Sequence, residues 1–549
     1  MPSVYQPDRP VSGGPFTFYV SPDGSDKNNG LSPERPWRTL AHANGVRFKP
    51  GDRLRLKGGE RFRGRLTLEK GEAGRPSKPV VIDSYGTGRA TIAPSGTSGI
   101  AVRNTSGVEI RDLTIVGDAR KKRDGDGISF FSNLPGSRRL AHIRVSHVEV
   151  SHFEYGISVG ADPGTGGGFR DVRITDASVH HNLDAGLAVY GPDFDADDPD
   201  YAHQRLRIER VRAHTNTGDP ASDTRNTGSG IILGSVRDAT VSRAVSYGNG
   251  ARSAADAEEG PEGIWTYDST RVVIENSRSY RNHTGSEVDG GGFGLDNNVS
   301  DSVLQYNLSY GNDGPGFLVY SGQPTGAHRN NTMRFNVSWD DARRLPWYGG
   351  IVAYGTMLRD LDIYHNTVLM RTADLEDTPA AIEAGVAGSR PPALRLRDGI
   401  RDVGVHNNVF VTDSGPLIET ESAYGQERVR MQGNDYHSTD RWTMLWGDER
   451  YSGLDGWREA TEQETLDGEA TGSSADPCVN AATAPLTGRI RAAALTARCT
   501  DEAAGLRRPA AFGIDPGPVD YFGARLRGGR GPAWAGAAQP DAGRPRSGD

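Results

Sequence analysis

Lysine is nearly missing from this chain. All seven lysines lie at or before Lys122, and the following 427 residues carry arginine as their only strong base. A lysine general base is thereby excluded from the central and C-terminal sequence. Cysteine is scarcer still: Cys478 and Cys499, near the C-terminal end, are the only two. One disulfide across that loop, in an exported protein, and two free thiols are equally open readings. No apolar run approaches the ~18 residues that a membrane-spanning helix needs, so no membrane partner is expected. The net charge is −8 with no large block of one sign, which argues against nucleic acid as a partner. No P-loop, GxSxG, HExxH or CxxC signature occurs, leaving nucleotide, serine-hydrolase and zinc-protease chemistry without support. The opening MPSVYQPDRPVSGGP has no apolar stretch of the kind a signal peptide needs. Either the protein stays inside the cell or this start is a mature boundary.

What the chain has in excess is glycine, 72 residues, arranged periodically. A glycine followed by a large apolar residue recurs at Gly127-Ile128, Gly156-Ile157, Gly186-Leu187, Gly230-Ile231, Gly263-Ile264, Gly292-Phe293, Gly316-Phe317 and Gly350-Ile351. The steps are 29, 30, 44, 33, 29, 24 and 34 residues. Two positions after the first apolar residue comes another that is mostly apolar, so these side chains share one face of a strand. A second column of asparagines, Asn276, Asn307, Asn336, Asn366 and Asn408, recurs at a similar step and predicts a stacked amide ladder at a bend. Repeats of this period mean a solenoid, whose circuit supplies the long crossover that parallel strands require. The expected fold is all-β: a right-handed parallel β-helix, a single-stranded solenoid, with an N-terminal cap and a partly irregular C-terminal tail. The expected divisions are a lead and cap over 1–44, the β-helix over 45–455, and an extension over 456–549 whose last ~18 residues are disordered. In the cap, Phe16 to Ala43 should form a strand, a polar turn and a short amphipathic segment after Pro36-Trp37, shielding the first coil. That opening resembles the start of many secreted bacterial β-helix proteins that act on polysaccharides.

The fourth position after each column glycine should point outward. From Gly263 onward it reads Tyr267, Asp296, Tyr320 and Tyr354. Tyrosines spaced one coil apart, roughly 4.8 Å, suit the C–H faces of sugar rings. Tyr190, Trp265, Trp347 and Tyr348 are further sugar-binding candidates; stacked tyrosines also simply stabilise a sheet. Asp289 and Asp296 flank Gly290, Gly291 and Gly292, whose permissive backbone should allow a sharp bend and bring both carboxylates to one edge of the row. Glycoside hydrolysis needs such a pair, one to protonate the leaving oxygen and one to act as nucleophile or to activate water. The plainer alternative is that Asp289 forms a turn and Asp296 ends a strand. Asp313, Glu262 and Asp268 are further catalytic candidates, and Glu258, Glu259 and Glu287 lie on nearby loops. Any of them would raise the pKa of Asp289 by like-charge proximity.

The motif DGGGFGLD on a β-helix resembles the β-helical glycoside hydrolases of the lacto-N-biosidase family. That resemblance implies Asp289 as general acid/base and Asp296 as nucleophile or stabiliser; it covers the architecture and this motif, not the substrate. A weaker likeness, in HHNLDAGLAVYG from His180 to Gly191, is to β-helical pectate lyases that use calcium and a lysine base. The coil where that family has its Asp cluster and lysine reads GSGIILGS here, leaving Arg225 or Arg237 as substitute bases. The loop bearing Asp193, Asp195, Asp197 and Asp198 would then be the calcium site; as a solvated acidic loop it needs no ion. The expectation adopted is a secreted, monomeric bacterial enzyme that hydrolyses a poly- or oligosaccharide without cofactor. A calcium-dependent lyase and a non-catalytic glycan-binding β-helix are the alternatives.

Overall fold

The computed structural model describes residues 14–538 apart from 73, 119–124, 163–166, 323–324, 372–389, 478, 480–507 and 527–533. Cys478 and Cys499 therefore lie outside the described residues. The chain is an all-β parallel solenoid, as the repeat predicts, and has two compact units. One comprises Met1–Ser222, Asn226–Val245 and Asn249–Ala254; the other comprises Asp223–Arg225, Ser246–Gly248 and Ala255–Asp549.

In the first unit the strand Thr17–Val20 pairs in parallel with Arg53–Lys57. Trp37 stacks on Phe18 at 4.9 Å, and Thr39 caps a single helical turn, Leu40–Ala43. This is the expected cap. The glycine column is in register, with Ile128 paired to Ile157, Ile157 to Leu187 and Leu187 to Ile231. In the second unit the same column runs Ile264, Phe293, Phe317 and Ile351. It continues through Leu394, Ile418 and Met444, where Ala393, Leu417 and Thr443 replace the glycine and hide these coils from a glycine search.

The reason for glycine is crowding in the core. A Cβ on Gly263, Gly292 or Gly316 would lie 1.8, 2.2 or 2.3 Å from the hydroxyl of Ser279, Ser309 or Ser338. Each serine comes from another sheet of the coil and fills the space the glycine leaves.

Asparagine ladders close the corners. In one ladder Asn307 accepts from the Ser277 N–H, and Asn336, Asn366, Asn408 and Asn434 each accept from the backbone N–H and the side-chain amide of the asparagine below. Asn276 does not belong to it: Ser277 takes that place, and Asn276 sits one residue earlier at the left-handed corner, φ 52°. Two further ladders escaped the sequence pattern, Asn182–Asn216–Asn249 in the first unit and Asn282–Asn312–Asp341 in the second.

The stretch expected to be disordered from about residue 532 includes Trp534–Ala538, which are buried against the second unit. The rest of it lies outside the described residues.

Candidate active site

The outward row and the carboxyls beside it belong to the second unit. The outward row is in the predicted register. Thr266 pairs with Leu295, Leu295 with Val319 and Tyr320 with Tyr354, so Tyr267, Asp296, Tyr320 and Tyr354 are neighbours on successive coils. The Tyr320 and Tyr354 rings are 4.7 Å apart, and the Arg397 guanidinium lies 5.0 Å from the Tyr354 ring while paired with Glu421. Arg397 escaped the sequence reading because its coil carries Ala393 where the column glycine should be.

The glycine run does more than bend. Asp289 and Gly290 both have left-handed backbone, φ 57° and 75°. Gly291 and Gly294 instead allow close approach of Glu262, whose Oε1 lies 3.1 Å from a Cβ built on Gly291 and whose Oε2 lies 2.0 Å from one on Gly294. The carboxyl of Glu262 therefore lies along the strand Gly291–Leu295, which Asp289 precedes and Asp296 follows. Glu262 is 4% exposed; Asp289 and Asp296 are half-buried.

Asp289 accepts from the Gly260 N–H at Oδ2 (3.0 Å) and from the Tyr348 hydroxyl at Oδ1 (3.3 Å). Its own N–H donates to the same Tyr348 oxygen at 3.1 Å. Asp296 accepts from the Asn297 N–H at 2.6 Å. Burial pushes Asp289 up to about 6 against these two donors, with the Glu259 charge adding to it. Asp296 rises to about 8, first by burial and then by repulsion from Asp289, Glu259 and Asp268. Glu262 is driven well above the carboxylate range by burial and by the charges of Asp289 and Asp296. Three carboxyls are thus electrostatically one group, and it retains protons at neutral pH.

The remaining candidates sort clearly. Asp313 is not part of the group: His283 Nδ1 at 3.2 Å and the Thr284 N–H at 3.3 Å hold its carboxylate. Asp268 stands at the edge, acting on Asp296 while accepting from Asn298 at 2.6 Å. Glu258 and Glu287 are exposed. Tyr348 is 5% exposed and bonded to Asp289, so it holds the carboxylate and offers no open face to a sugar. Trp265, 6% exposed beside Tyr267, is likewise covered, whereas Trp347 and Tyr267 remain half-exposed. Tyr190 is in the first unit, where its ring packs over Gly160 and burial, with Asp126 and Glu154, pushes it up to about 12. The loop of Asp193, Asp195, Asp197 and Asp198 is exposed. Among the described residues no three His, Cys, Asp or Glu are grouped so as to hold a metal ion.

A family model described as "Right handed beta helix region" matches residues 136–368. A curated lacto-N-biosidase of Bifidobacterium longum subsp. longum is 35% identical over 89 residues, 15% of this chain and 6% of that protein. The crystal structure of a GH136 lacto-N-biosidase from Eubacterium ramulus aligns over 73% of this chain and 65% of its own, at 16% identity and TM-score 0.48. A pectate lyase structure aligns over 77% and 80%, at 16% identity and TM-score 0.38. The chain thus spans less than two thirds of the lacto-N-biosidases it matches.

Proposed function

We propose that this protein is a secreted glycoside hydrolase whose reacting carboxylates are Asp289 and Asp296. The observation that carries the reading is the placement of three mutually repelling carboxyls beside the Tyr320–Tyr354 row. Lone turn-forming aspartates would be solvated and ionised. This group instead holds both a proton and a negative charge near neutral pH, which acid-assisted glycosidic cleavage requires. The 89-residue likeness to a lacto-N-biosidase points the same way.

In this mechanism Asp289 gives its proton to the glycosidic oxygen as the bond to the anomeric carbon breaks. Asp296, as its carboxylate, meets the positive charge growing on that carbon, either bonding to it or stabilising it. Because Asp296, at about 8, holds a proton more tightly than Asp289, at about 6, the reacting form is the less populated one in which the shared proton has moved to Asp289. Asp289 then takes a proton from the water that completes hydrolysis, returning the site to its starting state. Tyr320 and Tyr354 offer ring faces to the sugar, and Tyr348 fixes the direction of Asp289.

The test is incubation with a panel of glycans, with EDTA and with added calcium, following reducing ends and the absorbance of unsaturated uronates. Hydrolysis predicts reducing ends alone, insensitive to EDTA. Asp289→Asn and Asp296→Asn should each lose at least about a thousandfold. Asp289→Asn should keep more activity on aryl glycosides whose leaving group needs no proton. A calcium-dependent unsaturated product would replace the hydrolase with a lyase, and binding without product would leave a glycan-binding surface.

A further inference from the structure

Glu262 has no part in the mechanism just given, yet it is the most enclosed of the three carboxyls. Its position is set by two absent side chains. The strand Glu262–Tyr267 pairs with Gly291–Leu295 so that Glu262 is opposite Gly291 and Trp265 opposite Gly294. Any side chain at 294 would occupy the place of Glu262 Oε2, 2.0 Å from a Cβ there, and would also meet the Trp265 Cβ at 3.1 Å. The Glu262 carboxyl therefore fills a slot in the outward face, walled by Trp265 and floored by glycine backbone. At 4% exposure it has little access to substrate.

The charges that act on it, Asp289 and Asp296, are both negative. Asp289 and Asp296 lie at the two ends of the neighbouring strand, and Glu259 and Asp268 lie just before and after the Glu262 strand itself. Tyr320, Tyr348 and Tyr354 close the group from the following coils. Arg397 stands over the Tyr354 ring and is paired with Glu421. A third ionised carboxylate in this place would force both aspartates to hold protons and leave no nucleophile. A neutral one separates them without adding charge.

Resting on the hydrolase reading above, we infer that Glu262 is a positioning residue of the site, a neutral carboxyl seated in the slot beside Gly294 that sets the charge states of Asp289 and Asp296. Burial and the two aspartates favour that neutral form. Gln has the same shape and no charge. Glu262→Gln should therefore keep activity within about tenfold of wild type at neutral pH, where a reacting carboxylate would lose a hundredfold or more. Its alkaline limb should stay where it is in wild type, because Asp289, at about 6, loses its proton before Glu262 does. Glu262→Asp, too short for the slot, should lose more than Glu262→Gln. A second measurement does not depend on turnover: the infrared carbonyl band of a protonated carboxyl should be present in the wild-type protein at pH 7 and diminished in Glu262→Gln. The inference falls if Glu262→Gln is as inactive as Asp296→Asn, or if the band is the same in both proteins. If no glycan is cleaved but the band behaves as stated, the hydrolase reading fails while the neutral carboxyl stands.

Discussion

At the scale of single residues, the site depends on opposed influences on one carboxylate. Burial favours the protonated form of Asp289, while the Gly260 N–H and the Tyr348 hydroxyl favour its anion. Tyr348→Phe removes the hydroxyl and leaves the ring, so packing is kept and one donor is lost. It also removes the acceptor of the Asp289 N–H, which frees the left-handed turn to move. A hydrogen bond to a charged group contributes about 1.5 kcal/mol or more, so kcat/KM should fall by about tenfold or more. With the anion less favoured, Asp289 should hold its proton to higher pH. The pH–activity profile of the variant should therefore shift upward, and an unchanged profile would mean that Tyr348 is only packing. Sequence offered Tyr348 as a sugar-binding ring and did not show its bond, which runs from residue 348 to residue 289. A contact across that separation leaves no local mark.

At the scale of the element, the corner ladders expose a titrating rung. In the second unit, Asn282 and Asn312 are followed by Asp341, which is fully enclosed. Its Oδ1 accepts from the Asn312 N–H and amide, and its Oδ2 from Ser338 at 2.7 Å. Burial nevertheless pushes it up to about 7. A carboxyl whose folded pKa exceeds its unfolded value of 3.8 favours folding below that value. The advantage is lost as the pH rises from there through about 7. Asp341→Asn supplies the amide that the other rungs carry and removes the charge. The variant should be more stable than wild type at pH 8 by about 2 kcal/mol, and the gain should shrink toward pH 4. Thermal unfolding at the two pH values checks this; an equal change at both would show that the charge is not the cause. The same ladders show what was legible. The column of Gly-apolar pairs and the Tyr267–Asp296–Tyr320–Tyr354 row followed from parity along strands, a local property, and both are in register. Asn276 was misplaced by one residue because asparagine serves equally in a ladder and in a left-handed corner. The coils with Ala393 and Leu417 were invisible because their column position tolerates a Cβ. Within the site, Asp289 and Asp296 could be found from their motif, but the seat of Glu262 could not. It depends on a glycine in the neighbouring coil, and glycine is common in every turn of this chain.

At the scale of the whole chain, the C-terminal residues matter to a solenoid that precedes them by more than a hundred positions. Trp534 packs 4.1 Å from the ring of His365 and 5.9 Å from that of Phe335, and His365 stacks on Phe335 at 5.0 Å. The Gly536 N–H donates to Asn407 O, the Ala537 N–H to Thr367 Oγ1, and the Tyr306 and Tyr364 hydroxyls to the carbonyls of Val519 and Asp515. Sequence marked Gly513 to Gly529 as a last ordered piece within an Ala/Gly/Pro-rich tail but not its docking, because a segment that docks by a few aromatic and backbone contacts has no period. The docking has a consequence for pH. Burial holds His365 down to about 3, and His406, stacked on Phe512 at 5.0 Å, is held equally low. In the unfolded chain both would titrate near 6.5. Below that pH the unfolded state takes up protons that the folded state refuses, so each histidine withdraws stability as the pH falls toward 3. Buried Asp341 and Asp435 act in the opposite direction, and the slope of the wild-type protein alone is therefore uninformative. A comparison isolates the effect. His365→Phe keeps a ring in contact with both Phe335 and Trp534 but cannot be protonated. Between pH 7 and pH 5 it should lose about 1–2 kcal/mol less stability than wild type, measured by urea unfolding at both values. Proteolysis in the C-terminal segment should quicken on acidification in wild type and much less in the variant. Parallel pH dependence in the two proteins would mean that the segment is released by some other group, and that His365 is only a ring in the stack.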